Sequence, residues 1–184
     1  MTAPSPDEGG VPRLTHVDGH GKAHMVDVSA KPVTRRVAEA RCTVRSVADV
    51  AAVLRHPPGG LDLVETARIA GVMASKRTPD LVPLCHPLLL DGFVVEVSVE
   101  PDGFGVRAVT SVAERTGVEM ESLTACAAAA LVLVQALLEV DPSASIEDLT
   151  LWHKSGGRSG TWERPVDGGS GVERRTSQEQ MLRP

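Results

Sequence analysis

Aromatic side chains are scarce in this sequence: two Phe, two Trp and no Tyr in 184 residues. Binding of single-stranded nucleic acid relies on aromatic stacking and on a basic groove. The formal charge here is −5, from 24 acidic against 19 basic residues, so neither requirement is met and no nucleic-acid partner is expected. Cysteine is also sparse. Cys42, Cys85 and Cys126 are widely spaced with no C-x-x-C pair, which excludes a disulfide framework and a zinc ribbon. The longest apolar run, Ala125 to Val134, is too short to span a bilayer, and the N-terminus lacks a basic-then-apolar signal pattern. A cytoplasmic, reducing location without a membrane partner is expected. There is no GxxxxGK[ST] loop, so a Walker-type site is excluded.

What is present is enough for one domain with a sizeable core. The ends do not belong to it. Met1 to Arg13 is rich in Pro, Gly and acids, and the C-terminal stretch is rich in Gly, Ser, Glu, Arg and Gln. Such composition cannot bury enough apolar surface to offset ordering entropy, so 1–13 and 163–184 are expected to be disordered tails around a domain at 14–162.

Within that domain, Asp18-Gly19 marks a tight turn between apolar-containing runs, and Val26 to Lys31 alternates as an extended strand. His20 and His24 sit four apart in a glycine-broken turn, where helical spacing has no meaning, and no metal site is read from them. Val37 to Val47 reads as a strand with Ala38, Ala40, Cys42 and Val44 on one side. Ser46 and Asp49 have capping-box spacing before a short helix that ends at Pro57-Pro58-Gly59-Gly60. Leu61 to Lys76 is a second helix with a face of small residues. Gly92 to Glu100 and Phe104 to Glu114 alternate cleanly around Pro101-Asp102-Gly103 and make an antiparallel hairpin. Thr116 to Val140 is a long helix, capped by Thr116 with Glu119 and apolar nearly all round, so buried against the sheet and another subunit. Ile146 to His153 is a last strand with Leu149, Leu151 and His153 on one face. This order predicts an α+β fold: a ferredoxin-like antiparallel sheet with helices packed on one face.

Three segments carry candidate chemistry. Met73 to Leu90 delivers Lys76 and Arg77 at a helix C-terminus. It then passes Pro79, Pro83 and Pro87 around Cys85 and His86. Proline fixes φ and restricts its predecessor, so Leu81 to Leu84 should be rigid and extended. A stiff connector and a binding loop both fit this stretch. Glu119 and Glu121 lie at a helix start, which favours carboxylates; capping explains the first well and the second only in part. Lys154 to Gly160, reading KSGGRSG, can wrap an anion with its backbone and with Lys154 and Arg158, or be a flexible turn.

Taken together, HMVDVSAK (His24 to Lys31), ARIAGVMASKRTPDLVPLCHPL (Ala67 to Leu88), TGVEMESLTA (Thr116 to Ala125) and KSGGRSG resemble the cyclic pyranopterin monophosphate synthase family, MoaC, of molybdenum cofactor biosynthesis. The resemblance covers Leu14 to Trp162. It implies a ferredoxin-like fold, a dimer formed through the long helices and built into a homohexamer, and a site at a subunit interface. It implies a lyase that converts 3′,8-cyclo-7,8-dihydroguanosine triphosphate to cyclic pyranopterin monophosphate with loss of pyrophosphate, with no cofactor and no metal. By the same resemblance Leu84, Cys85, His86, Met120 and Glu121 contact substrate. Lys76, Arg77, Lys154 and Arg158 can supply charge to a triphosphate, and His86, Glu121 and Lys154 are the expected catalytic groups.

The sequence also departs from the family. The long helix there carries a catalytic Asp with a Lys three positions on; counted from VEME, those positions are Gln135 and Leu138. A further family lysine aligns near Gly60. Glutamine cannot act as a carboxylate base. The alternative to a synthase is therefore a catalytically impaired protein of the same fold that binds the nucleotide or an active homologue. Gln135 lies about 21 Å along the helix from Glu121, so one cleft holding both needs two chains.

Overall fold

A computed structural model describes residues 16–165 apart from Gly19. The tail expected at 1–13 lies outside these residues, as does the expected C-terminal tail beyond residue 165. Residues 163–165 are described and continue the fold.

Alternation of apolar residues dictates the sheet. Strand β1 (Thr34–Arg45) buries Ala38, Ala40, Cys42 and Val44 on one side. Strands β2 (Gly92–Glu100) and β3 (Gly103–Glu114) form the expected hairpin, and β4 (Ser145–Ser155) and β5 (Trp162–Glu163) complete the sheet. The order is β2-β3-β1-β4-β5, and every pairing is antiparallel. At the β2–β3 turn Gly103 has φ 147°, and a Cβ there would fall 1.7 Å from the Val44 carbonyl oxygen. Glycine is required at that close approach.

Among the described residues four α-helices are interspersed with these strands, in chain order α1 (Val50–Arg55), α2 (Leu63–Ser75), the single turn α3 (Thr78–Leu81) and α4 (Glu119–Leu137). The Ala- and Leu-rich run of α4 favours helix and gives it one side that fits flat against β1, β3 and β4. Phe104 from the sheet and Leu133 and Leu137 from α4 are fully buried there, contributing about 1.5–3 kcal/mol each. By length and composition α4 would suit a bilayer, but half of it is buried inside the protein. The fold is the expected α+β, ferredoxin-like sheet with helices against it.

The small-residue face of α2 has a clear use. A Cβ on Gly71 would lie 2.8 Å from the Ala125 carbonyl oxygen and 3.1 Å from a Val95 methyl, so α2, α4 and β2 meet at backbone distance. The opposite sheet face is polar. Glu39, 1% exposed, accepts hydrogen bonds from Arg41 (2.6 Å) and Arg107 (2.9 Å), and Arg107 also binds Glu96 at 2.8 Å. Burial works against the Glu39 charge. The two guanidinium groups outweigh it and hold the carboxyl below its ordinary value.

Several local expectations are corrected. Ser46 does not cap α1: its hydroxyl binds Asp141, and Asp49 accepts from the Ala52 N–H instead. Thr116 does not cap α4, which starts after Val118 without a side-chain cap. Residues 26–31 form no strand, because Asp27 accepts from the Ser29 N–H and turns the chain. Residues 81–84 are not one extended run: Leu81 ends α3, Val82 alone is extended, and 83–84 turn. Pro79 is tolerated in the first turn of α3, and the Cys85 N–H closes a further turn onto the Val82 carbonyl. Leu151 and His153 do not share a face. An irregularity at Trp152 sets Leu151 opposite Ala40 and His153 opposite Glu39.

Candidate functional site

The N-terminus of α4 faces the turn after α3 across a cavity of about 350 Å³. Its walls are His16, Val26, Val28 and Lys31 from the N-terminal segment, Leu84, Cys85, His86 and Leu88 from the turn, and Thr116 to Glu121 except Val118 from the start of α4. The chain is brought here by short-range devices. The α3 turn and the Cys85–Val82 hydrogen bond aim Cys85 and His86 inward, while Thr110 Oγ1 donates to the Val118 carbonyl at 3.0 Å and fixes the entry to α4.

Electrostatics follow from burial. Glu121 is 3% exposed. Burial, and to a lesser extent the nearby charge of Glu119, push its carboxyl up to about 7 against the pull of a backbone hydrogen bond. Burial also pushes the Cys85 thiol up, helped by Glu121 and Glu119. Glu119 is ion-paired: Lys154 Nζ donates to its Oε1 at 3.0 Å. That contact brings the KSGGRSG segment to the cavity's edge. Lys154, Ser155, Gly156 and Ser159 border a small void of about 20 Å³ beside Glu119. Gly156 (φ 94°) lies where a Cβ would meet the Arg35 carbonyl oxygen at 2.1 Å, so this glycine serves the approach to β1.

The structure therefore gathers Leu84, Cys85, His86, Met120 and Glu121 in one cavity, with Lys154 adjoining. It leaves the other expected residues outside. Lys76 sits over the Phe93 ring at 4.8 Å, and Arg77 and Arg158 are exposed and absent from the cavity walls. Gln135 is exposed on α4 beside a second void of about 140 Å³, shared with Pro57, Leu61, Leu63, Thr66, Val132, Ala136 and Glu139. No Lys or Arg lines that void among the described residues. Leu138 is half exposed at the end of the same helix. Among the described residues no three His, Cys, Asp or Glu side chains are grouped to hold a metal ion.

Sequence reasoning missed His16 and Lys31 as cavity residues, along with Thr116 and Gly117. The signal was partial. Lys31 stands in the HMVDVSAK segment, but a strand reading of that segment gave no direction toward Cys85 and His86.

Comparison with known proteins identifies the family. A family model described as "MoaC family" matches residues 25–157. A cyclic pyranopterin monophosphate synthase of Streptomyces coelicolor is 49% identical over 154 residues, covering 83% of this chain and 90% of that protein. The Streptomyces avermitilis protein of the same name is 47% identical over 170 residues, covering 89% and 99%. In Mycobacterium tuberculosis, cyclic pyranopterin monophosphate synthase 2 is 47% identical over 154 residues, covering 82% and 91%. The match takes in every segment that builds the cavity from Met25 onward, and the chain belongs to the MoaC family.

Proposed function

We propose that the chain is a cyclic pyranopterin monophosphate synthase of molybdenum cofactor biosynthesis. Its substrate is 3′,8-cyclo-7,8-dihydroguanosine triphosphate, and its products are cyclic pyranopterin monophosphate and diphosphate. The observation that carries this reading is the single cavity formed by Leu84, Cys85, His86, Met120 and Glu121. A volume of about 350 Å³ is within the range of small-ligand sites.

Glu121 is suited to proton transfer because a carboxyl poised near 7 both takes and gives a proton at neutral pH. His86 is the second proton-transfer group. Lys154 neutralises charge near the phosphates as diphosphate leaves. Lys76, Arg77 and Arg158 serve a site completed by another copy, since none lines the cavity of its own chain. Gln135, about 21 Å along α4 from Glu121, reaches a cleft with it only across two chains. Exposed Leu131 and Leu138 on α4 and exposed Ile69 and Met73 on α2 supply the apolar surface for a dimer that builds a homohexamer. The location proposed is cytoplasmic.

Gln135 and Leu138 stand where the family pattern has an Asp and a Lys, and the void at Gln135 offers no cation in compensation. A chain that binds the nucleotide without converting it is the reading those two positions support. Product analysis after incubation with the cyclised nucleotide tests both. Cyclic pyranopterin monophosphate formed by the wild type and lost in His86→Ala and Glu121→Gln supports the synthase. Nucleotide bound but unchanged supports the binding protein.

A further inference from the structure

We propose that Cys42 of β1 and Cys126 of α4 are a covalent modification site. A peroxide converts the two thiols to an intrachain disulfide, which ties α4 to the sheet and slows turnover in the cavity. The bond itself stands on the geometry of the pair; its effect on turnover rests on the reading under Proposed function.

The two sulfurs meet across the packed layer. Cys126 Sγ donates to Cys42 Sγ at 3.3 Å, although the residues are 84 positions apart. Small residues allow this approach: Ala40 and Ala108 on the sheet and Ala125, Ala129 and Ala130 on α4 are buried in the same core cluster. Buried cysteines can serve simply as small apolar groups. Apolar packing does not require two sulfurs to face each other, whereas a disulfide does. Its sulfurs stand about 2.05 Å apart, so this pair has only roughly 1 Å to close. Five positions before Cys126 on the same helix is Glu121, about 7.5 Å along the axis. The core around the pair is close-packed, so closing the sulfurs moves α4 and with it the cavity wall.

The hydrogen bond divides the roles. It holds the Cys42 thiol below its ordinary value against the opposing effect of burial, and the same bond together with burial pushes the Cys126 thiol up. Cys42 is therefore the nucleophile. Its thiolate attacks one peroxide oxygen, the O–O bond breaks, and the departing hydroxide takes up the proton Cys42 has released. The Cys126 sulfur then attacks the sulfur of the Cys42 sulfenic acid. The S–O bond breaks, and the hydroxide leaves as water with the Cys126 proton. Two thiols lose two electrons, and hydrogen peroxide becomes two waters. Both thiols are buried, at 4% and 0% exposure, so the oxidant must be small and neutral. The start of α4 has no side-chain cap and Cys126 lies about two turns in, so local opening there admits it. Such a bond in a reducing compartment is transient, as redox-sensing disulfides are.

The test treats the full wild-type chain with a small excess of hydrogen peroxide, removes the excess with catalase, and alkylates under denaturing conditions for peptide mass mapping. Free thiols should fall from the three of the sequence to Cys85 alone, with Cys42 and Cys126 recovered as one disulfide-linked peptide pair. Dithiothreitol should restore all three. Closing so long a loop should raise Tm by about 5–15 °C. Diphosphate release from the cyclised nucleotide should fall about tenfold or more and return on reduction, since a displacement near 1 Å costs up to about a hundredfold. In Cys126→Ala, peroxide should change neither Tm nor turnover, and dimedone should label Cys42. Recovery of Cys42 and Cys126 as thiols, or a disulfide between chains, overturns the site. Dimedone labelling of Cys126 in Cys42→Ala overturns the division of roles. A linked protein that turns over at the reduced rate overturns the regulation. A wild type without turnover removes the proposed function, while mapping and Tm still decide the disulfide.

Discussion

Lys154 Nζ and Glu119 Oε1, 3.0 Å apart, join the end of β4 to the start of α4 at the cavity's edge. The pair is partly exposed, so breaking it costs about 1 kcal/mol or less of stability. Its larger effect is electrostatic, because the Glu119 charge is one of the causes holding the Glu121 carboxyl high. Glu119→Gln removes that charge and leaves the Lys154 cation uncompensated. Both changes favour ionised Glu121. Its titration midpoint should fall below about 7, read by carbon NMR of labelled glutamate carboxyls. An unmoved or raised midpoint contradicts this coupling.

Glu121→Gln should stabilise the fold while removing function. A carboxyl raised from 4.5 to about 7 binds more protons folded than unfolded between those values, so stability falls as pH rises through that window. Above it the penalty is constant. The neutral amide escapes the penalty, so the variant should exceed wild type by about 1–3 kcal/mol at pH 8 and match it below about pH 4.5. Urea unfolding at the two pH values reads the difference.

On the polar sheet face the sign is reversed. Glu39 has a depressed carboxyl, so its contribution is present above its ordinary 4.5 and is lost as pH falls through the lower native value. Arg107→Ala leaves buried Glu39 with Arg41 alone. Removing one partner of a buried pair typically costs about 3 kcal/mol. That cost at pH 7 should shrink at low pH, where Glu39 is protonated in both proteins. Denaturation at pH 7 and at low pH measures the change.

Gly71→Val tests the backbone contact of α2 with α4. A side chain would press on the Ala125 carbonyl and both Val95 methyl groups. Overpacking should destabilise by about 2 kcal/mol. Gly71→Ala should lose less, since alanine regains about 1 kcal/mol of helix propensity. Thermal unfolding of the two variants checks the order.

The alternating strands and the helix α4 were legible in the sequence because burial on one face enforces their periods. The hairpin of β2 and β3 and the buried side of β1 follow the pattern, except that Val99 is exposed at the end of β2 and that Val109 and Ser111 are buried on the other face of β3. Caps were less legible. Ser46 has a capping residue's chemistry, but Asp141, 95 positions away, claims its hydroxyl at 2.7 Å. Glu119 was read as a cap partner, and Lys154 holds it instead. The irregularity at Trp152 also gives no local signal, so the facing of His153 was misread. For the site, the residue types in LCH and ME pointed to one cavity, whereas Lys31 entered it through a turn set by Asp27 and Arg115. A hydrogen bond such as that from Arg115 to the Lys31 carbonyl, 84 positions away, carries no periodicity to read.

The most direct test of the whole account is diphosphate release from 3′,8-cyclo-7,8-dihydroguanosine triphosphate by the purified wild-type chain, run beside Gln135→Asp plus Leu138→Lys. The account predicts that the wild type releases one diphosphate for each cyclic pyranopterin monophosphate formed, with Glu121→Gln inactive. Nucleotide binding without diphosphate release, restored to turnover only in the Gln135→Asp plus Leu138→Lys variant, would contradict it.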